Sequence, residues 1–264
     1  MNLFILFWAE LKREFILLFR YPFELVSRLV WNLGFALMIY FGFGAVGNSL
    51  PGFQEGQLGR LLGLLITFIA INGINNATEL LAEETQTGTL EQAALSPPPL
   101  VLIMLMRDLA SFVEMLVRFV LVMAIAMALT GARFHLDVVS FTLLLTLMYL
   151  GLEGIGMILG GAALLYKRIA TLAQFAVMLV FGLAVMPLDS LPAWMSAFVN
   201  HFPFTQALML LRANAIQGVS LAQLVADGSV MSLAVSALVF LSVGLAVFIF
   251  CERKARDWGT LNQY

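Results

Sequence analysis

The run VMSLAVSALVFLSVGLAVFIFC, residues 230–251, decides the fold class, because it holds no Asp, Glu, Lys or Arg from end to end. A lipid hydrocarbon core about 30 Å thick is crossed by about 20 apolar residues in a helix. Inside that core no water is present to bond the backbone, so a spanning segment must satisfy its own N–H and C=O groups. The same length criterion, moved outward along the chain, selects five further segments: Leu25 to Val46, Leu61 to Leu81, Phe112 to Leu129, Val138 to Tyr166 and Ile169 to Leu188. The third of these carries Glu114 and Arg118. The expected fold is therefore an all-α integral membrane protein with six transmembrane helices.

Composition agrees with this. Of the 264 residues 61% are hydrophobic and 11% are charged, against about 25% charged in a soluble domain. Fourteen Lys and Arg oppose sixteen Asp and Glu, so no basic face for nucleic acid is expected. Cys251 stands alone, which excludes an intrachain disulfide, and His135 and His201 are too few and too far apart for a metal site. The first residues are interrupted by Glu10, Lys12, Arg13 and Glu14 and are not expected to form a cleaved signal.

Orientation follows from the bias of Lys and Arg toward cytoplasmic loops. With both termini in the cytoplasm, that side and its helix ends hold Lys12, Arg13, Arg20, Arg28, Arg107, Arg118, Lys167, Arg168, Arg253, Lys254 and Arg256, while Arg60, Arg133 and Arg212 remain outside. The expected location is the inner or plasma membrane of the cell. Ahead of the first span, Phe4, Trp8, Leu11, Phe15 and Leu18 recur at helical spacing, with Glu10, Arg13 and Glu14 on another face. This predicts an amphipathic interfacial helix over residues 1–22, closed by Pro22, followed by the six-span transmembrane domain over 23–264. Between the fifth and sixth spans, Pro187, Pro192, Pro203 and Gly218 break an apolar stretch. Two short helices dipping into the outer leaflet, within 189–218 and around Ala193 to Val199 and Thr205 to Ile216, fit those breaks.

Two familiar spacings carry no function here. Gly42, Gly44 and Gly47 have the G-x-G-x-x-G spacing but follow a membrane helix rather than a strand, and Asn76-Ala77-Thr78 has the form of a glycosylation sequon inside the second span. No G-x-x-x-x-G-K-[ST] occurs, so the chain carries no P-loop.

The informative cytoplasmic connection is EETQTGTLEQAALSPPP, residues 83–99. Gly88 can cap a short helix, Glu91 lies in its first turn where a negative charge complements the helix dipole, and Pro97 to Pro99 end it. Leu90, Ala94 and Leu95 give it one apolar side. The order Glu84, Gly88-Thr89, Glu91, Ser96-Pro97 closely resembles the coupling-helix segment of the type-2 ATP-binding-cassette exporter permeases, over about residues 84–97. Arg20-Tyr21-Pro22 resembles the Arg-x-Pro that closes that family's N-terminal helix. Phe202-Pro203-Phe204-Thr205 through Arg212 to Gly218 is similar to its segment before the last span, with Phe202 where the family usually has Asn.

The resemblance implies a permease subunit whose residues Glu84, Gly88, Thr89, Leu90, Glu91, Ser96 and Pro97 dock on a separate nucleotide-binding ATPase subunit. It implies a second permease protomer, identical or similar, and contact with membrane lipid. No cofactor is expected in this chain, ATP and Mg being held by the partner subunit. It further implies export of an amphipathic compound: a drug-like molecule, a lipid or a lipid-linked glycan.

Polar residues inside the spans are the remaining candidates. Asn72, Asn76, Glu79 and Glu83 fall at i, i+4, i+7 and i+11 and form one stripe. That stripe suits a substrate path or interhelical contacts. Glu153 lies mid-span among Gly151, Gly154, Gly156, Gly160 and Gly161, where it is protonated, paired with a neighbouring helix, or functional; the glycines permit close packing. Two other classes stand against the permease reading. A secondary transporter would show paired repeats and broken mid-membrane helices, and a membrane-embedded lipid-modifying enzyme would gather His, Asp or Glu at one depth, whereas the acids here scatter.

Overall fold

Helix is the only regular structure among the residues described by the computed structural model, which are 3–47, 57–87, 98–135, 137–166, 169–185 and 192–258. The segment expected to lie in the interface forms α1 (Leu3–Arg20), and α2 (Pro22–Gly47) starts immediately beyond Tyr21. Proline at the first helical position forfeits no hydrogen bond, so Pro22 starts one helix where it cannot continue the other. Next come α3 (Gln57–Thr87), α4 (Leu100–Thr130), α5 (Val138–Tyr166) and α6 (Ala170–Val185). The chain closes with α7 (Ala193–Asn200), α8 (Pro203–Gln217), α9 (Leu221–Ala226) and α10 (Ser229–Asp257).

Five stretches are long and apolar enough to cross a membrane: Pro22–Gly42, Leu61–Ala82, Leu100–Thr130, Val138–Tyr166 and Ser229–Asp257. The segment expected to supply a sixth span is α6, a shorter apolar helix of 16 residues that ends where the described residues end. The third span begins at Leu100, well before the expected Phe112. Its start is set by Pro99, which precedes the first turn. Arg107 and Asp108 do not interrupt it, because both find partners inside the protein.

At the centre of the packing is α3. Leu61, Leu62, Leu65, Ile66, Ile69, Ala70 and Ile74 along it are all 1% exposed or less. It meets α2, α4, α5, α6 and α8, while the most extensive contact of all is between α5 and α10. Lipid offers no hydrophobic drive for helices to associate, so that contact depends on close van der Waals fit. Glycine supplies it. A Cβ on Gly154 would overlap the Phe240 carbonyl, and one on Gly244 would overlap the Gly154 carbonyl. On the α3 side a Cβ on Gly156 would lie 2.8 Å from the Gly73 carbonyl oxygen.

The start of α5 is fixed by Asp137. Its carboxylate accepts from the Val139 N–H at 3.2 Å and from the Ser140 hydroxyl, and chiefly the latter holds it below the usual carboxylate range. Farther along, α8 is buried against α3 and α5, with Phe204, Thr205, Ala207 and Leu208 fully enclosed. The Thr205 hydroxyl lies against the carbonyls of Phe202 (2.9 Å) and Val199, closing the turn between α7 and α8. Gly218 ends α8 with φ 72°, a left-handed conformation that glycine adopts without strain. The capped turn α9 lies between the left-handed glycines Gly218 and Gly228.

Candidate functional site

The polar face of α1 is turned toward the protein. Glu10 lies against Arg107 of α4, with Nε to Oε1 at 3.2 Å, and the same guanidinium pairs through Nη1 with Glu84 near the end of α3. All three side chains are at most 14% exposed. On the other side of α1, Phe4, Ile5, Trp8 and Phe19 stand exposed, where lipid would cover them. Arg107 thus ties together α1, α3 and α4.

Those helices and the start of α2 enclose a cavity of about 440 Å³. The stripe singled out in α3 forms one wall, since Asn72, Asn76 and Glu79 all line it. Facing it on α4 are Ser111, Glu114 and Arg118, and α1 and α2 contribute Arg13, Glu14, Glu24 and Arg28. Several of these charges are paired along their own helices, Arg28 with Glu24 at 2.5 Å and Arg118 with Glu114 at 2.7 Å. The second pair is buried, the first open. Asn72, Met115 and Arg118 also border a narrow apolar slot running on between α2, α3 and α4, lined by Leu65, Phe68, Phe119 and Val122.

Glu153 is fully buried and is not part of the cavity wall; it lies behind Tyr149, four residues earlier on α5. Its neighbour is Asp108, also fully buried. Asp108 accepts a hydrogen bond from Asn76 Nδ2 at 2.7 Å through its carboxylate, and from the Tyr149 hydroxyl at 3.1 Å through its backbone carbonyl. Asp108 Oδ2 and both Glu153 oxygens are buried, and the two carboxyl groups interact with each other.

A second, apolar recess of about 360 Å³ opens on the other side of α3, between α2 and α6. Trp31, Phe35, Phe68 and Phe181 surround it, and Asn75 and Gln174 supply its polar groups. Asp108, Arg118, Asn75 and Gln174 are not part of the α3 stripe, and spacing on α4 could have pointed only to Arg118, since Arg107, Ser111, Glu114 and Arg118 repeat the i, i+4, i+7, i+11 pattern.

Of the candidate coupling residues, Glu84 is buried on Arg107 rather than displayed at a surface. Gly88, Thr89, Leu90, Glu91, Ser96 and Pro97 lie outside the described residues. A family model described as ABC-2 type transporter matches residues 5–216. Comparison with curated proteins found no match.

Proposed function

From the premise that the chain belongs to the ABC-2 type transporter family, we propose that it works as an exporter, moving an amphipathic compound out of the cytoplasm or inner leaflet. As the membrane-spanning permease subunit of an ABC transporter it associates with an ATP-binding subunit. Mg-ATP belongs on that subunit, because this chain has no P-loop to cradle phosphates. Both termini face the cytoplasm of the cell membrane, α6 completes six crossings, and a second permease protomer, identical or similar, lies opposite.

Coupling runs through the connection after Thr87. A short helix over Gly88 to Leu95 rests on the ATPase subunit, and closure of that subunit on ATP displaces it. The observation that supports this reading most directly is the buried Glu10–Arg107–Glu84 cluster. A displacement at the end of α3 is thereby delivered to α1 and α4 as well, the helices that frame the charged cavity. Glu84 acts inside the chain as a link in that train, while Thr89, Glu91, Ser96 and Pro97 meet the partner.

The test is the ATPase rate, with and without transported compound, of reconstituted complexes containing equal amounts of both subunits. Glu91→Lys opposes the positive end of the short helix, and Gly88→Pro removes an N–H and restricts its backbone. Both variants are expected to insert and assemble yet lose most of the stimulation, whereas Gln57→Lys on the outer side keeps it. Normal stimulation in both coupling variants would remove the mechanical role of this segment.

A further inference from the structure

We propose that the charged cavity between α1 and α4 is where the transported compound first binds, and that it selects amphipathic organic cations, with Glu79 taking the positive centre. This rests on the exporter reading above and names the substrate class for it.

The charges lining the cavity do not cancel. Arg13, Arg28 and Arg118 stand against Glu14, Glu24, Glu79 and Glu114, three positive groups against four negative. Each guanidinium already has a carboxylate: Arg28 has Glu24 at 2.5 Å, Arg118 has Glu114 at 2.7 Å, and Arg13 lies 3.6 Å from Glu10. Glu14 is also partnered. Glu79 is exposed on the α3 wall and makes no ion pair among the described residues. What the lining lacks is a cation.

The rest of the cavity suits an apolar body attached to that cation. Leu80 follows Glu79 on α3, Leu17, Leu18 and Leu25 come from α1 and α2, and Met115 stands on α4. Its volume of about 440 Å³ falls within the range of about 300–1,000 Å³ typical of sites for drug-sized ligands. Glu79 lies seven residues beyond Asn72 toward the C-terminal end of α3, about 10 Å at 1.5 Å per residue. In the orientation proposed above that end is cytoplasmic. The positive centre then stays at headgroup level, while the apolar part reaches toward Asn72 and Met115.

Other ligand classes fit less well. An anionic amphiphile finds every guanidinium engaged and a carboxylate in its way. A neutral one strips water from Glu79 and returns no charge, a desolvation cost that a cation offsets. Discrimination of this kind comes as much from what the site penalises as from what it attracts. An inorganic cation would satisfy Glu79 but use none of the apolar lining.

The test compares tetraphenylphosphonium with tetraphenylborate, which share one shape and differ in the sign of their charge. Equilibrium dialysis of the full chain in a non-ionic detergent, against protein-free micelles, gives the affinity for each. The wild type is expected to bind the cation about tenfold more tightly than the anion, the scale of one charge-assisted contact. Glu79→Gln, a change at an exposed side chain, should remove that preference, and Glu79→Asp, which keeps the charge, should retain most of it. Equal affinities in the wild type, binding of neither ion, or a preference that survives in Glu79→Gln overturns the proposal. The exporter reading fails separately, because it is measured by ATP hydrolysis in the two-subunit complex. Stimulation there by anionic compounds alone would keep that reading and overturn this one.

Discussion

Glu79 and Arg118 show how far a single residue can be read from sequence. The stripe Asn72, Asn76 and Glu79 is legible in α3 because polar residues at helical spacing inside an apolar run have no other reason to line up. Its counterpart on α4 has the same spacing but is hidden, since charges near the edge of a predicted span look like interruptions of it. Only the structure reveals that Arg107 and Asp108 sit within the helix, in contact with Glu10, Glu84 and Asn76. The glycines of α5 are legible as packing residues, but which helix presses on each is not. Gly244 meets the Gly154 backbone, and backbone cannot move aside as a flexible side chain can. Gly244→Ala is therefore expected to destabilise by about 1–3 kcal/mol, as overpacking does. Gly34→Ala, where a Cβ meets nothing within 4 Å, should be neutral or stabilising by up to about 1 kcal/mol. Thermal unfolding of the purified variants separates the two, and equal midpoints would mean that α5 and α10 are not in backbone contact.

Among the elements, α1 departs most from a simple amphipathic reading. Its charged residues lean on α4 and the cavity, and its aromatic residues point away. Periodicity finds the two faces but cannot say which neighbour a polar face meets, because that depends on where Arg107 emerges from a helix far along the chain. A buried cluster of one cation and two anions is weak evidence for stability in itself, since desolvation offsets much of the attraction. Removing its centre is another matter. Arg107→Ala takes the shared cation from buried Glu84 and from Glu10, which keeps Arg13 at 3.6 Å, and is expected to cost about 3 kcal/mol. Combining Arg107→Met with Glu10→Gln and Glu84→Gln should recover most of that stability. If force passes through the cluster, the triple variant still fails to couple ATP hydrolysis to transport. Thermal unfolding read beside the ATPase rate checks both halves, and full coupling in the triple variant would show that α3 reaches the cavity by another route.

At the scale of the whole molecule, spans and breaks are legible because lipid leaves the backbone so few choices. The length of α4 and the inward burial of α8 are not, since both depend on partners distant in sequence. The molecule that results has a charged cavity and an aromatic recess on opposite sides of one central helix, α3, whose C-terminal end leads into the segment proposed for coupling. The sequence carries no P-loop, and the exporter reading therefore predicts that the chain is inert alone. The direct measurement is transport into proteoliposomes containing this chain with and without its ATP-binding subunit, in Mg-ATP and with ion gradients collapsed. Transport is expected only when both subunits and ATP are present. Full transport by this chain alone would contradict the account.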